Sequence, residues 1–465
     1  MGAIETKDDR NFLERFMGLF ANVRGGEGIT VLLLTLDIFL LLFAYYIIKP
    51  VREALILAGG GAEVKSYAAA GQAILLLGVV PLYGALASRF TRRRLINVVT
   101  IFFAICLGIF YILSYLHIPL GVAFYLWVGI FNLMVVAQFW AFANDLYTPD
   151  AGKRLFAIVA FGASLGAVLG GKATSWLIGP LGVYQVLLIA AALLILSLII
   201  ANVIDSRERH RTAERATERA KEAEEPIGKG GSFQLVFKSK YLLLIALLML
   251  FLNWVNTTGE YILGRTIQNA AKEQIAAQTA SAPVQSEGTK TTTALSEEEQ
   301  KKEIGKYIGK FYGNFFSVVN LVSLLIQLFL VSRILKYLGI RIALLILPVI
   351  ALGGYAILAF FPVLSVVRWA KTAENSMDYS LQNTVRQVLF LPTTREQKYK
   401  AKQVIDTFFV RTGDVLSAAL VFVGTNWLAF QTMHFAIVNL LLVAIWIILA
   451  IFIGLENRKL TSGMD

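Results

Sequence analysis

The sequence predicts an all-α integral membrane protein whose twelve transmembrane helices form two six-helix halves. Three observations predict it. First, 57% of the 465 residues are hydrophobic, above the roughly 45–50% of a soluble globular chain. Second, apolar stretches recur along the chain, each near the roughly 20 residues that a helix needs to cross a ~30 Å hydrocarbon core. Third, Lys and Arg gather in alternate connections between those stretches, which is the bias that orients membrane proteins.

The first stretch, 29–49, runs into Lys49-Pro50-Val51-Arg52-Glu53. Lys49 and Arg52 at its outer end are able to hold an anionic substrate at a cavity mouth. The plainer alternative is that they snorkel to the interface while Glu53 pairs locally. Asp37 lies deeper, where a charge is costly. It is a candidate carrier of a proton or cation, or the structural partner of a cation on another helix. The next stretches are 66–87, 95–116 and 120–143. The fifth, 155–178, spaces Gly162, Gly166 and Gly170 by four, which lets helices approach closely. Lys172 follows with no neighbour to neutralise it and is a candidate cavity residue. The sixth is 182–204.

The seventh stretch, 241–263, places Asn253, Asn256 and Glu260 on one face by steps of three and four, and that face is expected to line the bundle interior. The segment 266–303, rich in Ala, Gln, Thr, Ser and Glu, is predicted as a partly disordered extracytoplasmic loop. The eighth and ninth stretches are 311–334 and 340–361. The tenth, 363–391, is the least apolar. Arg368, Lys371, Asn375, Asp378, Gln382 and Arg386 recur there by threes and fours, so on a helix they form one stripe. A charge at mid-bilayer costs roughly 3 kcal/mol on insertion scales, so the stripe must face a cavity or other helices. The eleventh, 403–428, adds Asp406, Arg411 and Asp414, and the last two can pair at i,i+3. Asp37, Glu374, Asp406, Arg411 and Asp414 are expected to act in coupling or gating, through bridges that break and re-form. The twelfth stretch is 433–455.

The halves are predicted at 1–204 and 241–465, joined by the charged, helix-prone linker 205–240. A weak parallel repeat agrees: Ser88-Arg89 and Ser332-Arg333 are 244 residues apart, and Pro149 and Pro392 are 243 apart. Parallel six-span halves are the architecture of major-facilitator-type secondary transporters, with the substrate site between halves near the midplane. Arg89, Arg92, Arg93, Arg94, Lys153, Arg154, Arg333, Lys336, Arg341, Arg395, Lys398 and Lys400 fall in even-numbered connections, which predicts both termini in the cytoplasm. Lys49, Arg52 and Lys65 break that pattern.

The net charge of +12 belongs to the same bias, so no nucleic-acid partner is inferred. A single cysteine, Cys106, excludes a disulfide framework and a Cys-based metal site. His117, His210 and His434 are far apart, and no metal or cofactor is predicted. A GxxxxGK[ST] loop is missing, so primary ATP-driven transport has no support. No triad, HExxH motif or paired catalytic carboxylates stand out, and the chain is not expected to be an enzyme.

Three segments carry a resemblance. FAYYIIKPVREALIL in the first stretch, FWAFANDLYTPDAGKRLF after the fourth, and NSMDYSLQNTVRQVLFLPTTREQKYKAKQVIDTFFVRTGD in the tenth and eleventh resemble the bacterial and plastid-type ATP/ADP translocases. The resemblance extends over about 29–455 and is strongest in the last segment. It implies a twelve-span, major-facilitator-like nucleotide antiporter of the bacterial inner membrane, monomeric, exchanging ATP for ADP or related nucleotides. The family's cation after its YY motif falls on Lys49, and its second cation, before an Ile-Asp pair, falls on Lys402. Both fit a polyphosphate, with Arg368 and Lys371 as further phosphate contacts. The family's acidic positions are replaced: one aligns near Val128, one near Asn256 with Glu260 a turn later, and the residue after the first lysine is Pro50. The chain is therefore read as a divergent member. A proton-coupled transporter of another organic anion, with Asp37, Glu260 or Asp378 cycling protons, is the alternative.

Overall fold

A computed structural model describes residues 27–116, 118–147, 149–222, 232–280, 296–394 and 397–461. They build twelve long helical rods. The first six are α1 Gly28–Gly59, α2 Gly61–Arg89, α3 Arg92–Leu113, α4 Gly121–Leu146, α5 Pro149–Leu181 and α6 Val186–Glu222. After a short helix, Ser232–Lys238, come α7 Lys240–Ala280, α8 Glu297–Phe329, α9 Gly339–Phe360, α10 over 364–389, α11 Lys402–Asn426 and α12 Thr432–Thr461. Eleven of these are long and apolar enough to cross a membrane. The exception is α10, whose stripe makes it too polar to qualify alone. Such a helix is stable in a bilayer only when other helices surround its polar face.

Several boundaries differ from the sequence reading. The first helix does not stop at residue 49 but runs to Gly59 with Pro50 inside it, so Lys49, Arg52 and Glu53 lie within the bundle. Pro50 has no N–H to give the carbonyl four residues back. The Thr174 hydroxyl on α5 donates to that carbonyl, Tyr46 O, at 3.2 Å. The predicted loop 266–303 is largely helical. α7 continues to Ala280, and α8 begins at Glu297 behind a Ser296/Glu299 capping box, which satisfies exposed amides at the helix start. Only 281–295 of that segment lies outside the described residues. The linker's helix reaches Glu222, and residues 223–231 lie outside the described residues, as does Arg395.

The small residues of α5 have the packing role expected of them. A Cβ on Gly162, Gly166 or Gly170 would run into the backbone carbonyls of Thr35, Phe39 and Phe43 on α1. On the other side, Gly171 meets Gly313 of α8, so α5 joins the two halves. Further hydrogen bonds between halves gather where α1 turns into α2. Gln268 donates to Leu57 O at 3.0 Å, Tyr261 to Glu63 at 2.9 Å and Asn426 to Tyr67 at 3.4 Å. We call this the far end, and the end holding residues 27 and 461 the base.

Candidate functional site

Between the halves, toward the far end, lies an upper cavity of about 840 Å³. Its walls come from α1, α2 and α4 on one side and α7, α8, α10 and α11 on the other. Four cations line it: Lys49, Arg52, Lys65 and Arg411. Each is placed differently.

Lys49 is held by rings. Its ammonium lies 4.0 Å from the Phe316 ring centre, 5.3 Å from Tyr46 and 5.7 Å from Tyr379, and it donates to the Tyr379 hydroxyl at 3.4 Å. Cation–π attraction offsets part of the loss of water. No carboxylate pairs with Lys49 among the described residues. Arg52 stacks 4.6 Å from the Tyr125 ring and donates from Nε to Glu53 at 3.0 Å. Glu53, only 1% exposed, also meets the Lys65 ammonium at 2.7 Å. The sequence reading left Lys65 in a connection. The structure puts it inside α2, buried, where it reaches across the halves to Glu260 at 3.8 Å.

Glu260 is the meeting point on the other side. It lies 3.8 Å from Lys371 and accepts from Asn375 at 3.0 Å. Lys371 is 1% exposed, pairs with Glu374 at 3.0 Å and donates to the Asn256 side chain at 2.8 Å. Glu374 in turn accepts from Tyr355 at 3.0 Å. Arg411 and Asp414 pair at 3.2 Å as their spacing predicts, and Asp414 also accepts from Asn253 and Thr257, each at 2.8 Å.

A lower cavity of about 760 Å³ lies toward the base, among α7, α10 and α11. Asp378, Gln382 and Arg386 line it, and it shares Asn256 and Tyr379 with the upper one. The stripe on α10 is therefore not one surface. A π-helical turn, Asp378–Gln382, interrupts the helix and shifts the register of everything after it. Lys371, Glu374 and Asn375 enter the buried network, and Asp378, Gln382 and Arg386 face the lower cavity.

The remaining candidates are placed elsewhere. Arg368 lies over the Phe311 and Trp369 rings, at 5.8 and 5.6 Å, and lines neither cavity. Lys172 donates to Asn314 at 3.1 Å beside Trp176. Lys402 donates to Gln387 above Phe390. Asp406 has a buried oxygen without a hydrogen-bond partner but lines neither cavity. Asp37 meets no cation among the described residues. The Ser197 hydroxyl of α6 donates to it, in a small separate pocket inside the first half with Thr100 and Gln138.

The family model of the Major Facilitator Superfamily matches residues 30–273. The ADP,ATP carrier protein 1 of Chlamydia pneumoniae is 24% identical over 361 residues, covering 69% of this chain and 64% of the relative. The ADP,ATP carrier protein 1 of Chlamydia muridarum is 23% identical over 323 residues, covering 61% of this chain and 54% of the relative. The match thus spans less than two thirds of either relative. Among solved structures, the nucleoside transporter NupG superposes with a TM-score of 0.60 at 14% identity, covering 92% of this chain and 99% of that one. A POT family transporter in complex with 5-aminolevulinic acid gives 0.58 at 14% identity, covering 93% and 96%.

Proposed function

This chain belongs to the Major Facilitator Superfamily, and from that premise we propose that it is a nucleotide antiporter of the ATP/ADP-exchange type. The coarser statement, a multi-pass membrane transporter of that superfamily, is the ground on which the proposal stands. The observation that carries the finer one is Lys49: a cation on the wall of the cavity between the halves, caged by aromatic rings and without a carboxylate partner among the described residues. A cation in that state keeps its charge available for an anion. Arg52, Lys65 and Arg411 share the cavity, so a polyphosphate has several donors within one chamber. The names of the two Chlamydia relatives support the same reading.

In the proposed cycle the phosphates draw Lys65 from Glu260. That contact is long, 3.8 Å, whereas Lys65 holds Glu53 at 2.7 Å. Releasing the long bridge loosens the far end while Lys65 keeps its partner Glu53. Nucleotide in either direction is needed to cross, which is exchange. The Lys and Arg distribution supports both termini in the cytoplasm, and the organisms of the two Chlamydia relatives support a bacterial inner membrane. One observation favours proton-coupled uptake of another organic anion: Asp378 lines the lower cavity and makes no ion pair among the described residues.

The test is uptake of labelled ATP into proteoliposomes loaded with ADP. Uptake that needs internal nucleotide and ignores a collapsed pH gradient supports the proposal. Uptake that stops when the pH gradient is dissipated favours the alternative. Absence of exchange with either nucleotide sinks the proposal.

A further inference from the structure

We propose that the lower cavity reads a nucleobase, Gln382 pairing with adjacent donor and acceptor groups of an adenine edge while Tyr379 offers a stacking face. This rests on the nucleotide reading above and divides the site into two chemically different parts.

Gln382 is 2% exposed, lies in the wall of the lower cavity, and has neither amide atom hydrogen-bonded. A buried amide in that state is costly, because it has given up water for nothing. The cost is relieved when a ligand supplies both a donor and an acceptor. Turned into the cavity, the amide presents the two side by side, the pattern that pairs with N6 and N7 of adenine. The local backbone places it there. Gln382 closes the π-helical turn that begins at Asp378, and such turns are frequent at functional sites.

The two cavities differ as the two ends of a nucleotide differ. The upper one holds Lys49, Arg52, Lys65 and Arg411. The lower one carries four amides, Asn253, Asn256, Gln382 and Asn383, with one carboxylate, Asp378. Its cation, Arg386, donates to Asn383 at 3.2 Å. Because Asn256 and Tyr379 belong to both walls, one ligand can reach from one chamber into the other. Tyr379 is 38% exposed, which leaves ring surface open, and base–aromatic stacking tolerates a range of bases. Selectivity then falls to Gln382.

The experiment compares ATP with tripolyphosphate, which has the anion without the base. Affinities are measured by calorimetry on the purified full chain, as wild type, Gln382→Leu and Lys49→Gln. The wild type is expected to prefer ATP. Gln382→Leu is expected to weaken ATP by about tenfold or more while leaving tripolyphosphate unchanged, and Lys49→Gln to weaken both. Unliganded melting of Gln382→Leu should not fall, since the substitution removes an amide that had no partner. Gln382→Met serves as a second variant should the first not fold. The inference is overturned if wild type binds ATP and tripolyphosphate equally, or if neither Gln382 variant weakens ATP, or if both ligands weaken together. Failure of the wild type to bind ATP at all is a different result, and it defeats the nucleotide reading itself.

Discussion

The two halves treat their buried cations in opposite ways. In the first half, Lys49 faces the cavity against aromatic rings and a hydroxyl, with no ion pair among the described residues, and Arg52 and Lys65 share one carboxylate, Glu53. In the second half, each cation near the upper cavity has its own carboxylate: Lys371 has Glu374 and Arg411 has Asp414. Around the upper cavity the first half thus sets three cations against one carboxylate, whereas the second sets Lys371 and Arg411 against Glu260, Glu374 and Asp414. Under the proposed function, the first half supplies the attraction for phosphate. The second supplies shape, amides and the carboxylate Glu260 that the substrate must displace.

The comparison can be broken most forcefully at Glu53. Glu53→Ala leaves Arg52 and Lys65 facing each other without their shared counterion, and breaking a buried pair in this way costs roughly 3–5 kcal/mol. Thermal unfolding of the purified protein should show it as a large drop. Adding Lys65→Met should recover part of the loss, because one of the stranded charges is removed. If Glu53→Ala melts like the wild type, the first half does not depend on that carboxylate.

A smaller but more specific effect is expected at Lys49. Lys49→Gln strands no charged partner, so it should lower the melting temperature only modestly, through the cation–π contacts it loses. It should weaken nucleotide binding roughly ten- to a hundredfold, the ~1.5–3 kcal/mol of a hydrogen bond to a charged group. A ligand-induced melting shift equal to that of the wild type would remove Lys49 from the recognition of phosphate.

Much of this was legible in the sequence, though not always from the feature that stood out. The helices followed from length and hydropathy, and the role of the α5 glycines followed from their spacing. The stripe on α10 turns to other helices and to the lower cavity, apart from Arg368, which lies over Phe311 and Trp369. Its division was not legible, because an inserted π-helical turn leaves no mark on the period of the polar residues around it. Lys65 falls in the first predicted connection, between the stretches 29–49 and 66–87, where with Lys49 and Arg52 it breaks the positive-inside pattern. All three line the upper cavity. The violation was the signal: a cation away from the cytoplasmic interface needs either a buried carboxylate or an internal aqueous chamber, and these three have one or both. The partner of Asp37 could not be read, because Ser197 is 160 residues away and a hydroxyl carries no charge pattern.

The smallest expected effect is at Arg368, and it separates the two ways of reading α10. If the stripe acts as one surface, Arg368 contacts phosphate, and Arg368→Gln weakens exchange as much as Lys49→Gln does. The structure places the guanidinium over Phe311 and Trp369, outside both cavities. Cation–π contacts at a partly exposed site contribute about 0.5–1 kcal/mol, and that contribution goes to stability. Arg368→Gln should therefore lower the melting temperature slightly and change nucleotide affinity by less than about threefold, a shift of under ~0.7 kcal/mol. Measured side by side, the two substitutions test where recognition lies. A strong loss at Arg368 with little at Lys49 would move the phosphate site from the wall of the first half to the far end of α10.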